Sequence, residues 1–230
     1  MSTVYIISAP SGSGKSTLVE KVRQIVPHLD FSISYTTRAP RGNEKDGREY
    51  FFVPRNLFDE MIGRDEFLEH AEVFGNYYGT ARCFLRNAER ENRDLLLDID
   101  VRGAEQIKRK LPEAVSIFIL PPDRTTLERR LRNRSLDAEK VIQNRLATAS
   151  REIENYGKYD YILINDRLED SVAGLQSILL AERLKRSGVA LSSDDLNVLS
   201  TAERYRLGNS RERLQPILAS FVATATPGAR

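Results

Sequence analysis

Five short apolar runs lie along the chain, each with the length of a buried strand. They are VYII (4–7), FSISY (31–35), LLLDI (95–99), VSIFIL (115–120) and YILI (161–164). Helical patterns follow three of these runs, around 103–110, 124–134 and 168–187. Because strands that alternate with helices usually form parallel sheets, this pattern predicts an α/β fold with a parallel sheet and helices on both faces.

Two segments interrupt the alternation. Residues 36–90 are rich in loop-forming, basic and aromatic residues and alternate briefly in REYFFV, which predicts an inserted subdomain with some antiparallel strand. Residues 124–156 are helical in pattern and dense in arginine. Beyond residue 187 the composition changes, and apolar residues return at helical spacing near the C-terminus. The predicted apolar stripe of that last helix is Leu214, Ile217, Leu218, Phe221 and Val222.

Composition argues against several kinds of partner and location. The 230 residues carry 35 basic and 33 acidic side chains, so a net charge of +2 points neither to nucleic acid nor to an anionic membrane. The single cysteine, Cys83, excludes an internal disulfide and fits a reducing compartment. No apolar run approaches the roughly 20 residues of a membrane span, and the N-terminus lacks a signal-peptide pattern. We therefore expect a cytoplasmic protein.

The stretch SAPSGSGKST, residues 8–17, joins the first strand to a helical pattern. It matches the P-loop pattern G-x-x-x-x-G-K-[ST], except that Ala9 occupies the first glycine position. In a P-loop, backbone N–H groups surround phosphates, and here Lys15 would reach the β- and γ-phosphates while the Ser16 hydroxyl binds Mg²⁺. The alternative is a glycine-rich turn with a solvated lysine. The order of strand, loop and helix favours the P-loop.

Two acids, Asp98 and Asp100, end the predicted strand LLLDID. Beside a P-loop, one of them could serve Mg²⁺ and the other a second substrate. Alternation along a strand would point both side chains in the same direction. The alternative for either acid is to cap the helix that follows.

A site for a phosphate monoester is predicted around TTRAPRG. Arg38 and Arg41 lie in this stretch, and Tyr50 and Tyr78 follow in REYFF and GNYYGT. Two guanidinium groups and two phenol donors form a set that suits a phosphate monoester.

A guanine base would suit Glu69, which lies in the partly apolar stretch EFLEHAEVF. Its carboxylate can accept from the N1–H and the 2-amino group of guanine, whereas adenine presents an acceptor at N1. Ser34 and Thr80 are hydroxyls that could donate to guanine O6.

The arginine-rich segment offers Arg134 and Arg145 for the phosphoryl group in transfer. They lie eleven residues apart, on one continuous helix or on two elements that converge. Arginines carried by a mobile segment can stabilise the charge of the transition state. The alternative is a solvated helix face, which we expect for Arg129 and Arg132.

Together these motifs resemble the bacterial type of guanylate kinase, within the P-loop nucleoside monophosphate kinases. The resemblance spans about residues 3 to 187 and is carried by SAPSGSGKST, SYTTRAPRG with GREYFF, FLEHAEVFGNYYGT, LLLDIDVRGAEQIK, FILPPD, LERRLRNRSLD and YDYILIND. It implies a kinase domain (1–187) that has a core with a five-stranded parallel sheet (1–35, 91–123 and 157–187), an inserted GMP-binding α+β subdomain (36–90) and a helical lid (124–156). Residues 188–230 have little counterpart in the resemblance and form a helical extension of unknown role, through which homo-oligomers could form.

The activity implied by the resemblance is transfer of a phosphoryl group from ATP to GMP, with Mg²⁺ accompanying ATP. The implied ATP-binding residues are Ala9, Pro10, Ser11, Gly12, Ser13, Gly14, Lys15, Ser16, Thr17 and Asn165. The implied GMP-binding residues are Ser34, Arg38, Arg41, Tyr50, Glu69, Tyr78, Thr80 and Asp100. The catalytic set is Lys15, Arg41, Arg134 and Arg145, and the metal set is Ser16 with Asp98 acting through water.

Two other functions stay open at this point. A related P-loop kinase could act on a different phosphorylated acceptor, such as a ribose bisphosphate, but it would not need the base-reading set of Glu69, Ser34 and Thr80. A non-catalytic module with the same fold could bind a partner protein. Such a module could dispense with Lys15 or the lid arginines, all of which are present here.

Overall fold

The computed structural model describes residues 2–73, 75–134 and 138–222, with the exception of the Arg134 side chain. Its strands, in chain order, are β1 (Val4–Ser8), β2 (Leu29–Ser32), β3 (Tyr35–Thr36), β4 (Phe51–Phe52), β5 (Phe67–Val73), β6 (Asn76–Ala81), β7 (Asp94–Asp98), β8 (Val115–Leu120) and β9 (Tyr161–Ile164). Its α-helices are α1 (Lys15–Ile25), α2 (Arg55–Gly63), α3 (Arg82–Arg90), α4 (Val101–Lys110), α5 (Arg124–Arg134), α6 (Glu139–Ile153), α7 (Leu168–Ser187), α8 (Ser193–Glu203) and α9 (Leu207–Val222). A 3₁₀ helix spans Glu154–Lys158.

A five-stranded sheet in the order β2-β7-β1-β8-β9 forms the centre of the fold. The pairings of β2 with β7, β1 with β7 and β8 with β9 are all parallel. Residues of β1, β7 and β8 are buried almost throughout, as expected for strands covered on both faces. The predicted α/β class with a five-stranded parallel sheet is therefore confirmed.

The predicted strand FSISY is wrong as a single element. β2 ends at Ser32, and Tyr35 and Thr36 belong to β3, which pairs in a different sheet. Apolar and polar residues alternate without a break across this boundary, so periodicity cannot mark the point where the chain changes sheets.

The first of two compact units contains residues 2–7 and 27–115. Within it, β4, β3, β6 and β5 form a four-stranded sheet, and Phe58, Met61 and Phe67 form a local hydrophobic core. The antiparallel pairs are β3 with β6 and β5 with β6, whereas β4, from REYFFV, pairs with β3 in parallel. Antiparallel strand is thus present in this segment, but REYFFV does not supply it.

Residues 8–26 and 116–222 form the second unit. Helix α1 packs against α7, and α5 packs against α6. The predicted helices at 124–134 and 168–187 are confirmed. No described helix is both long enough and apolar enough to cross a bilayer.

The C-terminal extension packs within the second unit. Helix α8 opens with a capping box and packs against α7, while α9 contacts α5, α6 and β9. Leu214, Ile217 and Phe221 are buried as predicted, but Leu218 is half-buried and Val222 is 72% exposed. The apolar stripe is therefore narrower than the sequence pattern predicts, and the chain itself covers it.

Candidate active site

The P-loop stretch folds as a tight turn that ends at the N-terminus of α1. Gly12 and Gly14 have φ values of +90° and +84°, a region that residues with a Cβ rarely adopt. Ser13 N–H donates to the Pro10 carbonyl at 3.1 Å, and Gly14 precedes Lys15, the first residue of α1. No described side chain caps this helix, so its first-turn N–H groups are suited to bind an anion.

Helix α5 lies directly on this loop. A Cβ added to Gly12 would come within 2.9 Å of a methyl carbon of Leu127 and of Leu131. Between these two leucines, Arg130 donates to the Ser13 carbonyl at 3.4 Å. Sequence reasoning assigned no individual role to Arg130, although this residue lies three positions after Leu127 and therefore on the same helical face.

Asn165, directly after β9, also fixes the loop. Its amide nitrogen donates to the Ser13 carbonyl at 2.7 Å and is so close to Gly14 that any Cβ there would collide with it. Its backbone carbonyl accepts from Arg130 at 3.0 Å. The buried Asn165 therefore has a clear part in shaping the P-loop, while the adenine contact implied by the resemblance stays a prediction.

The lid arginines differ in their surroundings. Arg132 is exposed and pairs with Glu128 at 2.7 Å and with Glu139 at 2.6 Å, which confirms the expected solvated face. The hydrogen bond from Arg132 lowers the pKa of Glu139 to about 2. Arg145 is half-buried on α6. The Arg134 side chain lies outside the described part of the chain, so convergence of Arg134 and Arg145 stays a prediction.

Three of the residues predicted to bind a phosphate monoester lie together in the first unit. The Arg38 guanidinium is 5.2 Å from the centre of the Tyr50 ring, and the Tyr50 and Tyr78 rings meet edge to face at 5.9 Å. Burial lowers the pKa of Arg38, but hydrogen bonds with Glu44 and Tyr78 outweigh that effect and raise it above its ordinary value. Arg38 is therefore held as a cation.

Glu44, which sequence reasoning missed, connects Arg38 to Arg41. Its carboxylate accepts from both terminal nitrogens of Arg38, at 2.9 and 3.1 Å, and from the Arg41 backbone N–H at 2.8 Å. The hydrogen bond from Arg38 lowers the pKa of Glu44. A carboxylate thus occupies the guanidinium edge that a phosphate would use. The Arg41 side chain is exposed, and the Ser34 side chain is half-buried.

A buried carboxylate lies on the other strands of this unit. Glu69 on β5 is 4% exposed, and the Thr80 hydroxyl on β6 donates to its Oε1 atom at 2.6 Å. Burial raises the pKa of Glu69 to about 7, against the opposing hydrogen bond from Thr80 and with a further contribution from the charge of Asp100. The Thr80 hydroxyl has a single hydrogen and donates it to Glu69 here. Donation to guanine O6 would require this hydroxyl to change partner, and it stays a prediction.

Asp100 caps α4 instead of extending the strand. β7 ends at Asp98, and the Asp100 carboxylate accepts from the Gly103 N–H at 2.8 Å. The capping alternative is right for Asp100, and because Asp100 lies outside β7, strand alternation gives no reason for its side chain to share the direction of Asp98. Gly103 has a second role, because a Cβ there would lie 2.7 Å from Glu69 Oε2.

The two predicted metal-binding residues have suitable oxygen atoms. Ser16 lies in the first turn of α1 and is exposed, and Asp98 is half-buried at the end of β7. Hydroxyl and carboxylate oxygens are hard donors, and Mg²⁺ commonly takes only one or two such protein ligands beside phosphates and water. The chemistry of each of these two groups therefore fits Mg²⁺.

Comparisons with known proteins all point to one family. The family model described as guanylate kinase matches residues 1–182. A guanylate kinase of Koribacter versatilis is 56% identical over 228 residues, which cover 98% of each chain. A guanylate kinase of Escherichia coli K12 is 50% identical over 187 residues, 80% of this chain and 90% of the relative. The crystal structure of guanylate kinase from Anaplasma phagocytophilum has a TM-score of 0.68 at 34% identity, covering 80% of this chain and 88% of that one. The chain therefore belongs to the guanylate kinase family.

Proposed function

We propose that this protein transfers the γ-phosphoryl group of ATP to GMP, giving ADP and GDP in purine nucleotide metabolism. The observation that carries the proposal is the buried Glu69 carboxylate, in the same compact unit as the Arg38, Tyr50 and Tyr78 cluster. A carboxylate that accepts from two adjacent donors selects guanine, and a fixed guanidinium with phenol donors selects a phosphate monoester.

GMP binds in the first unit. Ionised Glu69 accepts from the guanine N1–H and 2-amino group, with Ser34 and Thr80 near O6 and Asp100 near the base. The phosphate binds Arg38, Arg41, Tyr50 and Tyr78. It shares the Arg38 guanidinium with Glu44, whose two hydrogen bonds already fix the orientation of that group.

ATP binds in the second unit, along residues 9–17 and near Asn165. Lys15 and the first-turn N–H groups of α1 neutralise the phosphates, and Arg145 and Arg134 stabilise the transferring group. Arg41 is assigned to the same catalytic set. The Ser16 hydroxyl and, through water, Asp98 would hold the Mg²⁺ that accompanies ATP, and the ion would supply positive charge to the phosphates. Phosphoryl transfer of this kind requires orientation and charge stabilisation and no covalent intermediate.

The proposal also assigns a role to each segment of the kinase domain. Residues 36–90 act as the GMP-binding subdomain, residues 124–156 as the lid, and the remainder of 1–187 as the core. The reducing cytoplasm is the proposed location, in keeping with Cys83, a free and exposed cysteine. Self-association through residues 188–230 stays a prediction.

A coupled assay of ADP release tests the activity directly. We expect ADP release from ATP with GMP, and little with IMP, AMP or a ribose bisphosphate, because each of these lacks a donor that Glu69 would pair with. A folded protein that releases no ADP with GMP would contradict the proposed function, and faster release with a ribose bisphosphate would assign the site to another acceptor.

A Gly103→Ala variant tests the proposed guanine-binding role of Glu69 through a residue that packs against its carboxylate. The new Cβ would meet Glu69 Oε2 at 2.7 Å, so the carboxylate must move from its present position. We expect kcat/KM for GMP to fall about 10- to 100-fold through lost hydrogen bonds, with KM for ATP unchanged. The close contact with Glu69 destabilises the fold, but alanine stabilises a helix by about 1 kcal/mol relative to glycine. The two effects oppose each other, so the melting temperature should fall little.

The matched control is Gly63→Ala, which changes a helical glycine of the same unit with no atom within 4 Å of the new Cβ. It should leave both kinetic constants unchanged. Unaltered use of GMP by Gly103→Ala would show that the Glu69 carboxylate does not depend on this close approach.

A further inference from the structure

The C-terminal extension is attached to the sheet edge through the turn between α8 and α9. Tyr205 O accepts from Ile162 N–H of β9 at 2.8 Å, and Leu207 N–H donates to Asp160 O at 3.1 Å. This short antiparallel pairing uses backbone groups that an edge strand otherwise exposes. The turn therefore holds the start of α9 at a defined place on the second unit.

Side chains reinforce this attachment. The Tyr205 ring lies against Gly174 of α7, where a Cβ would come within 2.6 Å of the phenol oxygen. The Arg206 guanidinium lies 4.5 Å from the centre of the Tyr161 ring and donates to Glu182 at 3.1 Å. These contacts join the extension to both β9 and α7.

The far end of α9 contacts the helix that covers the P-loop. Ser220 Oγ accepts from the Arg124 N–H, the first amide of α5, at 3.1 Å. The same hydroxyl donates its hydrogen to Ile217 O at 2.6 Å, so its oxygen acts only as an acceptor toward Arg124. Asp123 accepts from Thr126 N–H in the same turn at 2.6 Å, so the extension supplies one acceptor at this helix start and Asp123 supplies another.

From α5 the contacts continue to the phosphate-binding loop. Leu127 and Leu131 pack on Gly12, and Arg130 donates to the carbonyls of Ser13 and Asn165. A shift of α5 would therefore change the position of the loop that receives the ATP phosphates. The family model ends at residue 182, before α8 and α9, so the family match leaves this part of the chain without a role.

We propose that the extension is a positioning element for ATP binding, which acts through Ser220 on α5 and through α5 on the P-loop. The inference rests on the proposed assignment of residues 9–17 to ATP. Ser220 is a positioning residue, because its contact is with α5 and not with nucleotide. GMP binding residues lie in the first unit, so the proposal confines the effect to ATP.

The test is to compare Ser220→Ala, Ser220→Thr and Ser210→Ala with the parent at one protein concentration. Ser210 is a matched control because it is a buried serine of the same helix whose hydroxyl bonds to Arg206 O within the extension at 2.9 Å. Dissociation constants are measured separately for a non-hydrolysable ATP analogue and for GMP. Hydrogen exchange reports the protection of residues 8–17 and 121–131 in each variant.

We expect Ser220→Ala to weaken binding of the ATP analogue about 2- to 10-fold, the range for one lost hydrogen bond, and to leave GMP binding unchanged. Exchange should quicken in both segments. Ser220→Thr keeps the hydroxyl and should restore the parent values, and Ser210→Ala should leave both dissociation constants unchanged.

Unchanged binding of the ATP analogue by Ser220→Ala would overturn the proposal, as would an equal loss for both nucleotides or the same loss in Ser210→Ala. Substitution of Lys15 separates this failure from failure of the proposed function. If Lys15→Met behaves as an ATP-site variant and Ser220→Ala does not, only the role of the extension is wrong.

Discussion

The Lys15→Met variant is expected to fold as the parent does and to lose about 10²-fold or more in kcat. Lys15 is the first residue of α1, directly after the positive-φ Gly14, where the helix N-terminus and the loop amides meet. Methionine keeps most of the length of the side chain but removes its charge. In the proposed ATP site, the charge of Lys15 would stabilise the phosphoryl group, and such an interaction is stronger in a protein site than in bulk water.

Lys21→Met is the matched control, because Lys21 is an exposed lysine of the same helix. It should retain the activity of the parent. Steady-state kinetics at saturating GMP, with thermal melts to verify folding, provide the comparison. Near-parent turnover by a folded Lys15→Met protein would contradict the assignment of the P-loop.

Much of the core could be predicted because strand length and apolar content are local properties. The runs VYII, VSIFIL and YILI correspond to β1, β8 and β9 within a residue at each end. FSISY failed because its alternation continues through a change of sheet. Local periodicity reports that residues are half-buried, and it carries no information about which strand lies beside them.

The site residues that sequence reasoning missed depend on contacts between distant segments. Gly103 must be glycine because Glu69, from another element, lies against it, and Arg130 matters because α5 crosses the P-loop. Neither contact follows from a motif. Asp100 shows a different failure, since a strand that ends two residues earlier converts a predicted strand acid into a helix cap.

The pKa of Glu69 makes both stability and GMP binding depend on pH. Burial raises this pKa to about 7 from 4.5, so between these values the folded protein binds more protons than the unfolded chain. The contribution of Glu69 to stability therefore falls as pH rises from about 4.5 to about 7. Binding of GMP has the opposite trend, because two guanine donors require the ionised carboxylate, and affinity should rise through the same range.

The Glu69→Gln variant is expected to lose roughly 10- to 150-fold in kcat/KM for GMP, with KM for ATP little changed. Glutamine keeps the size of the side chain but replaces one acceptor oxygen with an NH₂ group, so one guanine donor would face another donor in a buried site. The exposed Glu72 of the same strand offers the control Glu72→Gln, which should behave as the parent.

The measurements are kcat/KM for GMP, IMP and AMP between pH 5 and 8, together with thermal melts over the same range. IMP lacks the 2-amino group, so the parent should use it poorly and the variant should lose much of the preference for GMP over IMP. The contribution of Glu69 to the pH dependence of stability and of GMP use should disappear in the variant, while titration of the GMP phosphate itself, common to both proteins, remains. An unchanged ratio of GMP to IMP use in the variant, or a parent that uses IMP as well as GMP, would show that Glu69 does not recognise the base.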